Sequence, residues 1–368
     1  MQKLIAFCLV LGLMAFTNAN TPPPKPKIQV ALMLDTSNSM DGLIAQAKSQ
    51  LWKMVNELAT SKQNGQSPDI EIALYEYGND DLNSREGYVR QVSNLTTDLD
   101  KISEDLFALK TNGGNEYCGW VIRDGTNQLD WDTNEDVLKI IFIAGNEPFT
   151  QGDVDYRISC KNAIQKGIII NTIFCGSYQN GIKSQWQDGA FLAEGKYFNI
   201  DPNVKTVHIP TPYDTTIIRL NKALNDTYIG YNTRAASFKS RQVAQDANAA
   251  SMSVANMRER ASFKAKKQYN NASWDLVDAY EADEKMINEV EDDVLPKEWQ
   301  NLSKDEFAKK IKELKALRED IFSQIKATEK LAQKFEDEAR KNNPEENTLD
   351  KAMMKAIRSQ AKTKNFRF

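Results

Sequence analysis

The chain has 368 residues, 41% hydrophobic and 27% charged, the proportions of a soluble globular protein and neither a disordered chain nor a polytopic membrane protein. At roughly 100–200 residues per domain, two or three domains are expected. Lys and Arg number 47 against 51 Asp and Glu, a net charge of −4 that leaves no whole-chain basic footprint for nucleic acid.

Residues 1–19 read as a signal peptide. Lys3 supplies the positive start, Leu4 to Phe16 is an apolar run too short to span a bilayer, and Thr17 and Ala19 place small residues at −3 and −1. Cleavage after Ala19 and export to the periplasm, cell surface or medium are expected. Residues 20–27 form a proline-rich linker, Thr21-Pro-Pro-Pro-Lys-Pro-Lys27.

Ile28–Asp35 (IQVALMLD) is a nearly unbroken apolar run, the pattern of a central strand covered on both faces. Leu43, Ile44, Ala47, Leu51, Met54, Val55 and Leu58 recur at helical spacing from 41 to 61. A strand follows at 69–77, a helix at 97–110 opened by a capping-box variant at Thr97-x-x-Asp100, and a helix at 118–129. Strands at 137–144 and 168–175 flank a helix at 153–166. A helix at 184–193, a short strand at 196–201 and a helix at 213–225 complete the run. Strands alternating with helices predict an α/β fold, a doubly wound, mostly parallel sheet. Ligands of such sheets bind at the carboxyl ends of the strands, so the loops after Leu34, Ala144 and Cys175 carry the candidate site.

Beyond Tyr231 the strand pattern stops. Ala236, Ser240, Val243, Ala247, Ala250, Val254, Met257 and Ala261 form a small-residue heptad stripe. Residues 270–290 hold a second helix or bend. After Pro296, Ser303-x-x-Glu306 is a capping box before Phe307, Ile311, Leu314, Ile321, Ile325 and Phe335, with Arg318 interrupting. Residues 232–340 are therefore read as a helical, partly coiled-coil-like extension, either a projecting hairpin or a subdomain packed on the sheet. Residues 341–368 are a basic tail, with Lys351, Lys355, Arg358, Lys362, Lys364 and Arg367 and no acid after Asp350. Such a tail reads as a solvated end or as a contact for an anionic surface.

The single histidine, His208, weighs against Ser-His-Asp, Cys-His and multi-histidine zinc chemistry. The chemistry-bearing segment is Asp35-Thr36-Ser37-Asn38-Ser39-Met40, at the end of a central strand and before a helix. One carboxylate and two hydroxyls offer hard oxygens suited to Mg²⁺, Ca²⁺ or Mn²⁺. The plainer reading of Ser37 and Ser39 is helix capping.

Asp35-x-Ser37-x-Ser39 resembles the metal-ion-dependent adhesion site of von Willebrand factor type A (VWA) domains, and the resemblance covers roughly residues 28–231. The later segments resemble exported bacterial VWA proteins with a helical C-terminal extension. The family's Gly-Gly-Thr loop corresponds to Gly113-Gly114-Asn115, so Asn115 stands where a threonine ligand is implied and Glu116 lies beside it. The family's second carboxylate corresponds to Gly145, within Gly145-Asn146-Glu147-Pro148, which makes the site degenerate. The implied metal set is Asp35, Ser37, Ser39, Asn115 and Asn146, with Glu116 and Glu147 as further candidates. With Asp35 as the only carboxylate, ion affinity falls and the pull on an acidic partner group rises; an inward Glu116 or Glu147 reverses this.

Cys118 and Cys175 are expected at this same edge, as a bridge, as partners of Cys160, or as separate buried thiols. The implied function is a non-enzymatic, divalent-cation-dependent protein-binding module whose partner presents an acidic residue. The alternative is a metal-independent scaffold in which the helical extension does the binding. An enzyme with an active thiol at Cys175 is the third class, and no base accompanies it.

Overall fold

The computed structural model describes residues 25–201, 209–288, 290, 292–341 and 349–368. The expected signal peptide, residues 20–24 of the linker and His208 lie outside the described residues. The first elements are β1 (Lys27–Asp35), α1 (Asp41–Thr60), β2 (Lys62–Gln63), β3 (Asp69–Tyr77), β4 (Val89–Thr96), α2 (Leu99–Ala108) and α3 (Cys118–Gln128). They are followed by β5 (Leu138–Gly145), α4 (Tyr156–Gln165), β6 (Ile168–Cys175), α5 (Tyr178–Lys183), α6 (Trp186–Leu192) and β7 (Tyr197–Ile200). Next come α7 (Asp214–Asp226), α8 (Ala235–Met252), α9 (Val254–Lys264), α10 (Leu276–Ala282), α11 (Lys304–Lys341), α12 (Leu349–Thr363) and β8 (Phe366–Arg367).

Six strands form the main sheet in the order β4-β3-β1-β5-β6-β7, parallel except for β4 against β3. Alternation along β1 divides the core. Ile28, Val30, Leu32 and Leu34 pack with residues of α1, α2, α9 and α12, whereas Ala31 and Met33 pack with α3, α4 and α6. Each such large apolar side chain contributes roughly 1.5–3 kcal/mol by leaving water. From β1 the chain crosses to β3 on one side, while β5 lies on the other. The carboxyl ends of β1 and β5 therefore part at a switch point, with Asp35 and Gly145 on its two lips.

Several expectations change. Strand β4 carries mixed polarity (VRQVSNLT) at the sheet edge and gives no apolar run. Helix α2 is capped by Asp98, which accepts from Lys101 N at 3.0 Å, rather than by Thr97. The 184–193 helix is α6, and a further helix, α5, precedes it, with Gln185 at φ +69° between the two.

The small-residue stripe is not a packing seam. Ala236, Ser240, Val243, Ala247, Ala250 and Val254 are exposed, and of the stripe only Met257 and Ala261 are buried. Helix α8 instead buries Gln242, Gln245, Asp246 and Ala249. At Ser253 the backbone becomes extended and the Ser253 side chain caps α9.

Helix α9 is the bolt between the sheet layers and the later helices. Arg260, fully buried, pairs with Asp100 of α2 and Asp246 of α8, both at 2.6 Å, and lies over the Trp52 ring of α1. Arg258 pairs with Asp214 of α7 at 2.9 Å and with Glu336 of α11. Lys264 reaches Asp246 at 3.0 Å. Arg318, which interrupts the α11 pattern, is buried against Asp275 and Asp278 at 2.7 Å each. The 232–340 region thus packs on the sheet domain through buried ion pairs.

One of these groups sets a pH dependence. Burial, then Glu329, raises Glu259 of α9 to about 7; Glu336 adds to this, while Lys53 and Arg258 oppose it. An acid with a raised folded pKa holds its proton more tightly in the native state. Its contribution to stability is therefore lost as pH rises from about 4.3, the unfolded value, through about 7. Glu259→Gln is expected to melt at nearly the wild-type temperature at pH 5 and above it at pH 8. The expected gain at pH 8 is on the order of 1–3 kcal/mol. Equal offsets at both pH values in paired thermal melts would contradict it.

The basic tail is structured where it is described. Met353, Ile357, Ala361 and Phe366 enter the same core as α1 and the inner residues of β1. Strand β8 pairs antiparallel with β2, and Asn171 of β6 exchanges amide hydrogen bonds with Gln360 at 3.1 and 2.8 Å. The charge run hid an amphipathic helix whose apolar face closes the sheet.

Candidate functional site

Asp35 ends β1 and is fully buried. Its Oδ1 accepts from Ser37 N at 2.7 Å, while no donor among the described residues reaches Oδ2. Ser37 and Ser39 approach each other, Oγ to Oγ, at 3.4 Å. Asn146, just past β5, donates from Nδ2 to Ser39 Oγ at 3.1 Å, and its own Oδ1 is buried without a partner.

The Gly-Gly loop is stitched to this edge by its backbone. Asn38 N donates to Gly113 O at 3.0 Å and Asn112 N to Thr36 O at 2.9 Å. Asn115 sits half-buried on that loop. Glu116, beside it, turns inward and is 2% exposed. Its side chain faces Asp35 across the space that Gly78 leaves open, and its Oε2 accepts from Glu147 N at 3.1 Å. The loops after β1, before α3 and after β5 therefore meet at one rim. Asp35, Ser37, Ser39, Asn146 and Glu116 come together, and Glu147 joins through its backbone.

Sequence reasoning missed Tyr77 and Gly78. The buried Tyr77 hydroxyl donates to Ala144 O at 2.8 Å and stands over Gly145. Gly78 has φ +80°, and a Cβ there would lie 2.8 Å from Glu116 Cγ and 2.9 Å from Asp35 Oδ1. The only signal was a Tyr that ends a strand with Gly directly after it.

Burial, reinforced by Glu116, raises Asp35 well above the usual carboxylate range. Glu147 is raised by burial and then by Glu116. Cys118, Cys160 and Cys175 are free and buried, the third of the expected arrangements, and no bridge joins Cys118 to Cys175. The two belong to opposite faces of the sheet, Cys118 with α3 and Cys175 with the α1 side. Burial raises the Cys118 and Cys175 thiols well above their usual value and Cys160 to about 12, which keeps all three protonated and unreactive.

Among the described residues no group of three or more His, Cys, Asp or Glu is arranged to hold a metal. The donors at this rim are of another kind: two carboxylates, two hydroxyls and an amide oxygen. That set, with an orphaned buried oxygen on Asp35, fits a hard divalent cation rather than zinc or copper in a nitrogen–sulfur site.

No family model and no curated protein matches the chain. Solved structures similar to it align with the N-terminal half. One is BatB from Bacteroides thetaiotaomicron, 16% identical over 47% of this chain and 90% of that one, TM-score 0.37. The VWA domain of SpRpn10 is 16% identical over 48% and 89%, TM-score 0.36. Proximal thread matrix protein 1 from the mussel byssus, solved with a zinc-occupied MIDAS motif, is 13% identical over 48% and 42%, TM-score 0.36. VWA domains are thus among the structural neighbours of the sheet domain. These likenesses concern fold, and the site is read from this chain's own residues.

Proposed function

We infer that the protein is an exported, non-enzymatic protein-binding module whose interaction face is the carboxyl rim of the sheet and whose binding depends on a divalent cation. The observation that carries this reading is Asp35 Oδ2, buried without a donor beside hydroxyl and amide oxygens from two loops. Asp35, Ser37, Ser39 and Asn146 would hold Mg²⁺, Ca²⁺ or Mn²⁺, with Asn115 on the adjoining loop. When bound, the ion supplies a Lewis-acid position for an oxygen of a partner protein, a carboxylate being the strongest such donor. The inward Glu116 lowers the pull on that carboxylate relative to a site with Asp35 alone. Export rests on the expected leader at 1–19. The reading without enzyme activity is supported by three thiols held protonated.

The metal-independent scaffold is the weaker reading. Helices α8 to α11 place their cations Arg258, Arg260, Lys264 and Arg318 in buried pairs, leaving none of these four for a partner.

Thermal melts in Mg²⁺ and in chelator test the leading reading. Ion at about 100 times its Kd adds about 2.7 kcal/mol of stability. Wild type is expected to gain several degrees and Asp35→Ala none. Identical wild-type curves in Mg²⁺ and chelator would remove the cation from the reading.

A further inference from the structure

We propose that Glu116 is the second carboxylate of the cation site, supplied by the Gly-Gly loop because β5 has no room to supply one. The inference rests on the cation reading above and adds to it which residues of this chain balance the ion's charge.

Gly145 occupies the position where the resemblance implies an aspartate. A Cβ there would lie 2.5 Å from Tyr77 Oη and 3.2 Å from both Cβ and Oδ2 of Asp35. The Tyr77 hydroxyl is fixed by its bond to Ala144 O, so a side chain at 145 must displace it. A carboxylate from β5 is therefore sterically excluded while Tyr77 is present.

Opposite Asp35, space has been made for a different carboxylate. Gly78 lacks the Cβ that would strike both Glu116 Cγ and Asp35 Oδ1. Glu116 is held there by Gln151 Oε1, which accepts from its backbone N at 2.7 Å, and by Glu147 N on its Oε2. Two buried carboxylates now face each other, and Asp35 Oδ2 has no donor. Two acceptors facing each other in a buried site are stabilised by a positive species between them, a proton or a cation that displaces it. A divalent ion meets two formal negative charges at this pair, against one if Asp35 acted alone.

The test is isothermal titration of the full chain with Mn²⁺ and with Mg²⁺, with chelator-treated melts of every variant to confirm folding. Glu116→Gln is expected to bind at least tenfold more weakly than wild type. Its melt in chelator should not fall below the wild-type melt, because a like-charge contact has been removed. Glu313→Gln, an exposed carboxylate on α11 outside the rim, should stay within about twofold. Gly145→Asp in the Glu116→Gln background should restore binding only when Tyr77→Phe is added. If wild type binds and Glu116→Gln binds equally, Glu116 is not a ligand and the cation reading survives without it. If wild type binds neither ion while folded, the cation reading fails and this inference with it.

Discussion

Removal of residues 349–368 is expected to unfold the tertiary structure of the sheet domain rather than trim a tail. Ile357 and Ala361 are fully buried, and Phe366 is 1% exposed, all in the core that holds α1 and β1. Deleting one buried Ile or Phe side chain typically costs about 2–5 kcal/mol. Loss of the whole element is therefore of the order of a domain's entire stability, about 5–15 kcal/mol. The truncated chain should keep far-UV circular dichroism, lose near-UV signal and bind a hydrophobic dye. Phe366→Ala is the graded version, expected to lose about 3–5 kcal/mol in urea unfolding. A truncated protein with native near-UV signal and unchanged urea midpoint would show that α12 merely rests on the surface.

The second large effect is expected at Arg260. Arg260→Ala leaves Asp100 and Asp246 facing each other in a buried site, without the guanidinium that now joins them. Tyr269 still donates to Asp100 at 2.7 Å and Lys264 still reaches Asp246, so the pair is not wholly stranded. Breaking a buried ion pair from one side nevertheless costs about 3–5 kcal/mol. The urea midpoint should drop accordingly. Replacing the cluster together, as Asp100→Asn, Asp246→Asn and Arg260→Met, should recover part of the loss, since the uncompensated charges are gone. A loss below about 1 kcal/mol for the single variant would mean that water or Lys264 already neutralises both acids.

The legible parts of the fold were those governed by burial of apolar side chains. β1, β3, β5 and β6 are covered on both faces and read as apolar runs; their helices read as 3.6-residue stripes. β4 escaped because an edge strand has one pairing partner and tolerates polar residues. The helical region misled for a more specific reason. The buried face of α8 is polar, Gln242, Gln245 and Asp246, so the small-residue spacing traced its solvent side, while α9 buries Met257 and Ala261 together with Arg258, Arg260 and Lys264. Arg318 looked like an interruption and is an anchor. α12 carried Met353, Ile357 and Ala361 at helical spacing throughout, but the six basic residues around them gave the segment the look of a solvated tail.

At the site, Asp35-x-Ser37-x-Ser39 could be placed from its strand and helix alone. The inward turn of Glu116 could not, since it depends on the missing Cβ of Gly78, and Gly78 takes its place from the pairing of β3 with β1. Nor could the role of Tyr77, whose hydroxyl crosses β1 to reach a carbonyl of β5.

The pairing of β8 with β2 joins residues about 300 positions apart, and α12 covers a face whose strands are made long before it. During translation, β1 to β7 leave the ribosome with that apolar surface uncovered, and it stays so until Phe366 has emerged. Completion of this domain therefore waits on a segment synthesised long after its strands, which lengthens the interval in which the nascent chain is open to chaperones.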